Sequence, residues 1–190
     1  FEKVRASASL YYSSGRDYMY YVNTGDSIDM GFGERPIYKR MNIPEVEMYG
    51  SELEINYMPC QEITLTAGYT YSHAQIISYH PVAPGDPVNL TNKYITDVPA
   101  NTVSYSILWK NRLIIFSTFG KYTGDIWVND LNQFDEIVGA SKYPAYTTMD
   151  IKFSKQIKML SFDLEIMNVF DNLFYDSKGA VCPGRFISLE

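Results

Sequence analysis

Cysteine, histidine and tryptophan are each present only twice in 190 residues, and no long apolar run occurs anywhere. The longest purely aliphatic or aromatic stretches are short, as at Leu113 to Phe116, whereas a membrane-spanning helix takes roughly 18 or more consecutive apolar residues. Spanning helices are excluded. Basic residues are outnumbered, 16 Lys and Arg against 22 Asp and Glu for a net charge of -6, and they gather nowhere. A phosphate-binding surface wants them clustered on one face, so no nucleic-acid partner is expected. Catalytic parts are missing as well. With His73 and His80 the only histidines, no nucleophile has a plausible base, and Glu52, Glu54, Asp163 and Glu165 share strand faces without forming an acid-base pair; no enzyme is expected. Asp130, Asp135 and Glu136 offer oxygen donors but not the spacing of a calcium loop. His73 and His80 fit a solvated or aromatic-belt position better than a haem or metal site. No catalytic, cofactor-binding or metal-ligating residue is therefore assigned, and Asn89-Leu-Thr91, a glycosylation-type tripeptide, is given no role.

What the chain does have is tyrosine, 17 of them within a 15% aromatic content, and side-chain alternation of period two along its whole length. No stretch sustains the i, i+3, i+4, i+7 pattern of an amphipathic helix, so the fold class is all-β. Nine strands are expected: Lys3 to Tyr12, Asp17 to Asn23, Lys39 to Met58, Glu62 to Ser78, Asp97 to Lys110, Leu113 to Asn129, Tyr146 to Gln156, Leu160 to Phe174, and Gly184 onward. Several exceed the usual five or six residues of globular strands and suit a tilted bilayer crossing of about 9 to 11.

Connection lengths alternate. Ser13 to Arg16, Pro59 to Gln61, Asn111 to Arg112 and Ile157 to Met159 are tight. Thr24 to Tyr38, Tyr79 to Thr96, Asp130 to Ala145 and Asp176 to Pro183 are long and polar. Short turns on one side and long loops on the other mark an antiparallel up-and-down transmembrane β-barrel of the bacterial outer membrane, with periplasmic turns and extracellular loops.

Parity supports the same architecture. Met149, Ile151 and Phe153 alternate with Asp150, Lys152 and Ser154. A two-residue turn at Ile157-Lys158 sets Phe153 opposite Phe162, Ile151 opposite Leu164 and Lys152 opposite Asp163, with the apolar set toward lipid. The hairpin near Pro59-Cys60 places Leu53, Ile55 and Tyr57 with Ile63, Leu65 and Ala67, and Glu52, Glu54 and Asn56 with Thr64, Thr66 and Gly68. A third hairpin near Asn111-Arg112 has no readable register, because Leu113-Ile-Ile-Phe116 is apolar at both parities.

Asn168-Val-Phe-Asp171, then Phe174-Tyr175, a loop, and Gly184-Arg185-Phe186, resembles the C-terminal end of TonB-dependent outer-membrane receptors. Val46-Glu-Met-Tyr-Gly-Ser-Glu-Leu-Glu54, Gly68-Tyr-Thr-Tyr-Ser-His-Ala74 and Asp97-Val-Pro-Ala-Asn101 look like three further pieces of such barrels. The pattern departs at Val169, where the family usually has Leu, and at Glu190, where a terminal aromatic is usual. The resemblance implies import of a scarce nutrient of the ferric siderophore, cobalamin or haem class. Energy would come from the TonB complex acting on an N-terminal plug. Family barrels have 22 strands, so residues 1-190 would be about nine C-terminal strands, with the plug and the earlier strands outside this sequence. The implied partners are TonB, a metal-chelate or cobalamin-type ligand at the extracellular loops, outer-membrane lipid and a surface lipoprotein. Beyond the tyrosine the chain lacks the Pro-Glu of glycan importers, which favours a metal chelate.

Phe1 is not a methionine and no signal segment comes after it, so a longer protein is expected. A complete small barrel of 8 or 10 strands serving as adhesin or structural anchor is the alternative, and it requires the first and last segments to pair. A soluble secreted β domain is a third reading, disfavoured by the uncharged parity of the two readable hairpins. Cys60, at a short turn, and Cys182, in a long loop, should lie on opposite sides of a hydrocarbon layer of about 30 Å and remain unbridged.

Overall fold

A computed structural model describes residues 3–31, 33–81, 88–136, 138–175 and 181–190. It is a meander of strands with no helix among the described residues. The strands are β1 (Val4–Asp29), β2 (Glu34–Cys60), β3 (Ile63–Ser78), β4 (Asn101–Lys110), β5 (Ile115–Thr123), β6 (Ile126–Trp127), β7 (Lys142–Tyr143), β8 (Tyr146–Ile157), β9 (Leu160–Met167) and β10 (Phe186–Leu189). Eight form one antiparallel sheet in the order β1-β2-β3-β4-β5-β8-β9-β10, and β6 pairs with β7 apart from it. β1 and β10 are the two edges, so the sheet is an open wall rather than a closed cylinder. That removes the small-barrel alternative, which needed a ladder between them.

Among the described residues the wall has eight crossings, not the nine expected. The turn expected at Ser13 to Arg16 does not exist, because β1 runs against β2 in one register from Val4↔Tyr57 to Asn23↔Tyr38. Ser13-Ser-Gly-Arg16 has turn-like composition, yet Gly15 pairs with Val46 as an ordinary strand residue. Partner length decided the outcome, since β2 offers 27 residues for β1 to pair with. The loop expected at Thr24 to Tyr38 is instead mostly the end of this hairpin, whose last pair is Asp29↔Glu34.

Each readable hairpin keeps its expected faces but shifts its register by two. The turn after β8 falls at Lys158 and Met159, so that Phe153 faces Leu164, Ile151 faces Ile166 and Lys152 faces Glu165. Lys152 still reaches Asp163 diagonally, at 3.7 Å. The turn after β2 falls at Gln61 and Glu62, which sets Leu65 opposite Tyr57 and Ala67 opposite Ile55. A shift of two preserves parity; a shift of one would have exchanged the faces.

Across the sheet one face carries Ile55, Ala67, Tyr105, Gly120 and Met149 in a single row, with Tyr57, Leu65, Ile107, Thr118, Ile151, Ile166 and Ile187 in the next. Leu53, Ile55, Val103, Ile107 and Trp109 are all exposed there. A contiguous apolar face of this extent belongs against lipid. Gly120 has no Cβ because the Tyr105 ring lies across it. The opposite face carries Ser7, Glu54, Gly68 and Ser104, then Lys121, Thr148 and their neighbours, as a water-filled lumen requires. The run that is apolar at both parities is only partly strand. Leu113 and Ile114 sit in a turn, their amides held by Asn111 Oδ1 at 2.7 and 3.0 Å, and Phe116 is on the lipid face between Trp109 and Phe153.

β4 and β5 have 10 and 9 residues, one crossing each. β1 has 26; at about 3.3 Å per residue and a tilt of about 40° it rises about 65 Å, twice the roughly 30 Å hydrocarbon core. The β1–β2 hairpin therefore stands far above the belt at the long-loop end. Its alternation reverses part-way up. Asp17 adopts φ 54, and Ile43 and Met41 above this point meet Val46 and Met48 below it in one cluster, although their parities differ. Such a local irregularity re-aims every side chain beyond it.

Candidate functional site

That re-aimed face builds the mouth of the wall. Val22, Ile43, Val46, Ala74, Ile76, Tyr79, Leu90 and Ile95 form a buried cluster, with Tyr20, Val88, Val98 and Leu131 packed on it. Val22, Ile43, Val46, Ala74 and Ile76 come from β1 to β3; Leu90 and Ile95 come from the connection between β3 and β4, and Leu131 from the connection between β5 and β8. Both long loops are thus folded onto the lumen side of the tall strands. The first is also stitched to β3 by backbone bonds, Ile76 N to Lys93 O at 2.9 Å, Asn92 N to Ile76 O at 2.8 Å and Ile95 N to Ala74 O at 3.0 Å.

Polar groups fasten the two loops to each other. Asn132, at φ 54, accepts from Tyr94 N at 2.6 Å and donates through Nδ2 to Tyr94 O at 3.1 Å. Asp130 Oδ1 accepts from the Tyr20 hydroxyl at 2.7 Å and from Thr96 Oγ1 at 3.3 Å, and the two hydroxyls are 2.9 Å apart. Burial pushes the Asp130 carboxyl above the usual carboxylate range; the Tyr20 and Thr96 bonds oppose the shift and the charge of Asp97 adds to it. Of the acidic group noted in the sequence, Asp130 is thereby a clasp. Asp135 shapes a turn, its Oδ1 accepting from Val138 N at 3.0 Å. No cluster of three or more His, Cys, Asp or Glu able to hold a metal occurs among the described residues.

On the outside at the same level runs a file of rings. Tyr49 stacks on His73 at 4.4 Å, His73 meets Tyr94 edge-on at 5.2 Å, Tyr94 lies parallel to Trp127 at 6.4 Å, and Lys142 Nζ sits 4.5 Å above Trp127 while pairing with Asp125 at 2.7 Å. Rings with one dry and one wet side suit a membrane interface, and His73 is held between two of them, Tyr49 and Tyr94. His80 is exposed at the start of the β3–β4 connection. Lower on the lumen face, small residues leave an open concavity of about 370 Å³ lined by Ser7, Ser9, Glu52, Glu54, Thr70 and Ser104. Glu52 accepts from Ser9 at 3.3 Å and Glu54 from Asn56 at 2.7 Å.

The segment after β9 is a compact buckle. Asn168 is buried and holds φ 49. Its Nδ2 donates to Asn172 O at 2.8 Å and its Oδ1 accepts from Asn172 N at 3.2 Å. Asn172 in turn donates to Thr147 O at 2.7 Å. Asp171, at φ 56, accepts from Arg185 N at 2.7 Å and lies 3.6 Å from the Arg185 guanidinium. A Cβ on Gly184 would sit 2.6 Å from Asp171 Oδ1, which accounts for glycine there. The Asn-Val-Phe-Asp and Gly-Arg pieces are thus one assembly that ends β9 and aims β10. Phe174 stacks on Tyr146 at 4.1 Å and Tyr175 on Tyr143 at 5.2 Å. Cys60, at the end of β2, and Cys182, before β10, are free thiols. Asn89 Oδ1 accepts from Thr91 N at 3.0 Å, a local turn. Sequence reasoning missed the clasp, because Tyr20, Thr96 and Asp130 are separated by up to 110 residues.

Lipid-facing belt, polar lumen face, aromatic file and alternating connections define part of the wall of an outer-membrane-type up-and-down barrel. The family model described as "TonB dependent receptor-like, beta-barrel" matches residues 1–169, and the chain belongs to that family. A search of curated protein sequences finds no significant match. Among solved structures, the siderophore receptor PiuA from Acinetobacter baumannii aligns with TM-score 0.69 at 13% identity, over 98% of this chain and 25% of that one. The ferric yersiniabactin uptake receptor FyuA from Yersinia pestis gives TM-score 0.69 at 13% identity, over 100% and 27%. The FrpB iron transporter from Neisseria meningitidis, F3-3 variant, gives 0.67 at 15%, over 98% and 28%. The chain spans about a quarter of the length of these proteins.

Proposed function

We propose that the chain is the C-terminal wall of a bacterial outer-membrane receptor that imports a scarce metal chelate, of the ferric siderophore, cobalamin or haem class, at the expense of energy delivered by TonB to a plug domain. Family membership over residues 1–169 carries this reading. It is supported by the lumen-seated loops, which put aromatic and hydroxyl groups at a mouth where a large ligand would first be held, and by the iron and siderophore receptors among the similar structures. The long loops then face outward from the cell and the short turns face the periplasm. The absence of a Pro-Glu pair after Tyr175 favours a metal chelate over a glycan. TonB, outer-membrane lipid and a surface lipoprotein are the partners that this function calls for.

The test is uptake by cells whose only such receptor is the complete protein, given radioactive iron as a panel of ferric siderophores, radioactive cobalt as cobalamin, and haem iron. Uptake of one class is expected, abolished by deleting TonB. Equal uptake with and without the receptor for every probe would overturn the proposal.

A further inference from the structure

The two mouth loops are tied to the projecting hairpin at one point. Tyr20 belongs to β1, Thr96 to the β3–β4 connection and Asp130 to the β5–β8 connection, and all three meet within 2.7 to 3.3 Å. Beside that point Asn132 binds both the amide and the carbonyl of Tyr94, and Leu131, Leu90 and Ile95 share one cluster with Val22 and Ile43. Lifting either loop alone would break the Asn132 pair of bonds and leave Asp130 or Thr96 without its partners. It would also bare apolar groups that are now fully covered, Leu90 and Ile43 among them. Opening of either loop therefore forfeits contacts that the other loop also depends on, which couples the two openings.

We infer that residues 88–100 and residues 128–136 with 138–140 are one cooperative unit clasped to the β1–β2 hairpin through Tyr20, so that a partner or ligand engaging any of the three elements is felt by the other two. The titratable groups facing Asp130 are Tyr20 and Tyr38 from β1 and β2 and Asp97 from the first loop. None of these is a cation, so among the described residues the carboxylate is held by hydroxyl donors, with Thr96 able to donate to Tyr20 and Tyr20 to Asp130. The clasp is the lever arm between a hairpin that stands above the membrane and the loops seated inside the mouth.

Tyr20→Phe tests this in the complete protein, in detergent or vesicles, because it removes one hydroxyl from a residue in neither loop and keeps the ring in place. Amide exchange is read at Asn92 and Ile95 in the first loop, at Asn132, Asp135 and Gly139 in the second, and at Ile107 and Phe116 in the wall as control. A hydrogen bond to an ionised group carries a net effect equivalent to about ten- to a hundredfold in an opening equilibrium. Exchange should rise by that factor in both loops by the same ratio, with the wall unchanged. Asp130→Asn, which retains the acceptor, should leave the two loops exchanging in step with each other. Exchange that rises in one loop only, or in neither, would overturn the coupling.

Discussion

Replacing Asn168 by alanine and by glycine separates two contributions that the buckle combines. Asn168→Ala removes the bonds to Asn172 O and Asn172 N, at 2.8 and 3.2 Å, worth about 1 kcal/mol each net, and a longer, weaker one to Pro183 O at 3.4 Å. The site is buried, so the groups left behind lose a partner without gaining water, which adds about 1 kcal/mol more. Alanine must also hold φ 49, where asparagine is tolerated and a Cβ otherwise costs about 1 kcal/mol. The sum is about 3 to 4 kcal/mol. Asn168→Gly loses the same bonds but not the backbone penalty, for about 2 to 3 kcal/mol. Glycine should therefore be the milder change by about 1 kcal/mol, the reverse of their order in an extended strand.

The assay is urea unfolding of the complete barrel in lipid vesicles, monitored by tryptophan fluorescence and by heat-modifiable gel mobility, with wild type and both variants run at one lipid ratio. Neither variant touches the bond from Asn168 N to Asp150 Oδ1 at 2.8 Å, so β9 keeps its anchor to β8 in both. A cost below about 0.5 kcal/mol for alanine, or glycine costing more than alanine, would refute the account of the buckle.

The faces of the wall were legible in the sequence, and the ends of the strands were not. Parity depends only on which residues alternate, so Ile151 outward and Lys152 inward could be read without a register. Register depends on the turn, and Lys158 takes φ 54, a position that shifts the pairing centre by one residue and every pair by two. The Ser13 to Arg16 segment misled because turn composition is a local signal, while its pairing partners Glu45 to Met48 lie 29 to 35 residues away. The same holds for the mouth. Leu90, Ile95 and Leu131 sit in polar surroundings in sequence and become core only when the loops fold onto strands whose alternation has reversed beyond Asp17. Asn168, Asp171, Gly184 and Arg185 stood out as a pattern, but their bonds to one another are a product of the fold.

Three further outcomes are expected. Asp171→Ala should cost about 2 to 3 kcal/mol, by freeing the Arg185 amide and by holding alanine at φ 56, whereas Arg185→Ala should cost under about 0.5 kcal/mol, since a pair at 3.6 Å with both side chains about half exposed is screened by water; equal costs in the urea assay would show that the ion pair matters more than the amide bond and the backbone together. Ile151→Arg, at the middle of β8 on the lipid face, should cost about 2 to 4 kcal/mol, and Ser106→Arg on the lumen face, opposite Thr66 and Phe119, under about 0.5 kcal/mol; if the two behave alike in vesicle unfolding, the faces have been assigned wrongly. The last expectation is a pH dependence of the mouth. Burial raises the Asp130 carboxyl above its ordinary value, so the seated loop holds the proton more tightly than the released loop does. Its contribution to seating is then complete below the ordinary carboxylate pKa of about 3.9 and is lost as pH rises through the raised value. Amide protection at Ile95 and Asn132, corrected for intrinsic exchange, should therefore fall between acid and neutral pH. In Asp130→Asn the side-chain oxygen still accepts from Tyr20 and Thr96 but carries no charge, so the loops should be seated more firmly than in wild type at pH 7 and the dependence should flatten. Protection that rises toward neutral pH in the wild type, or an unaltered profile in Asp130→Asn, would show that the buried charge at Asp130 does not govern how the loops are held.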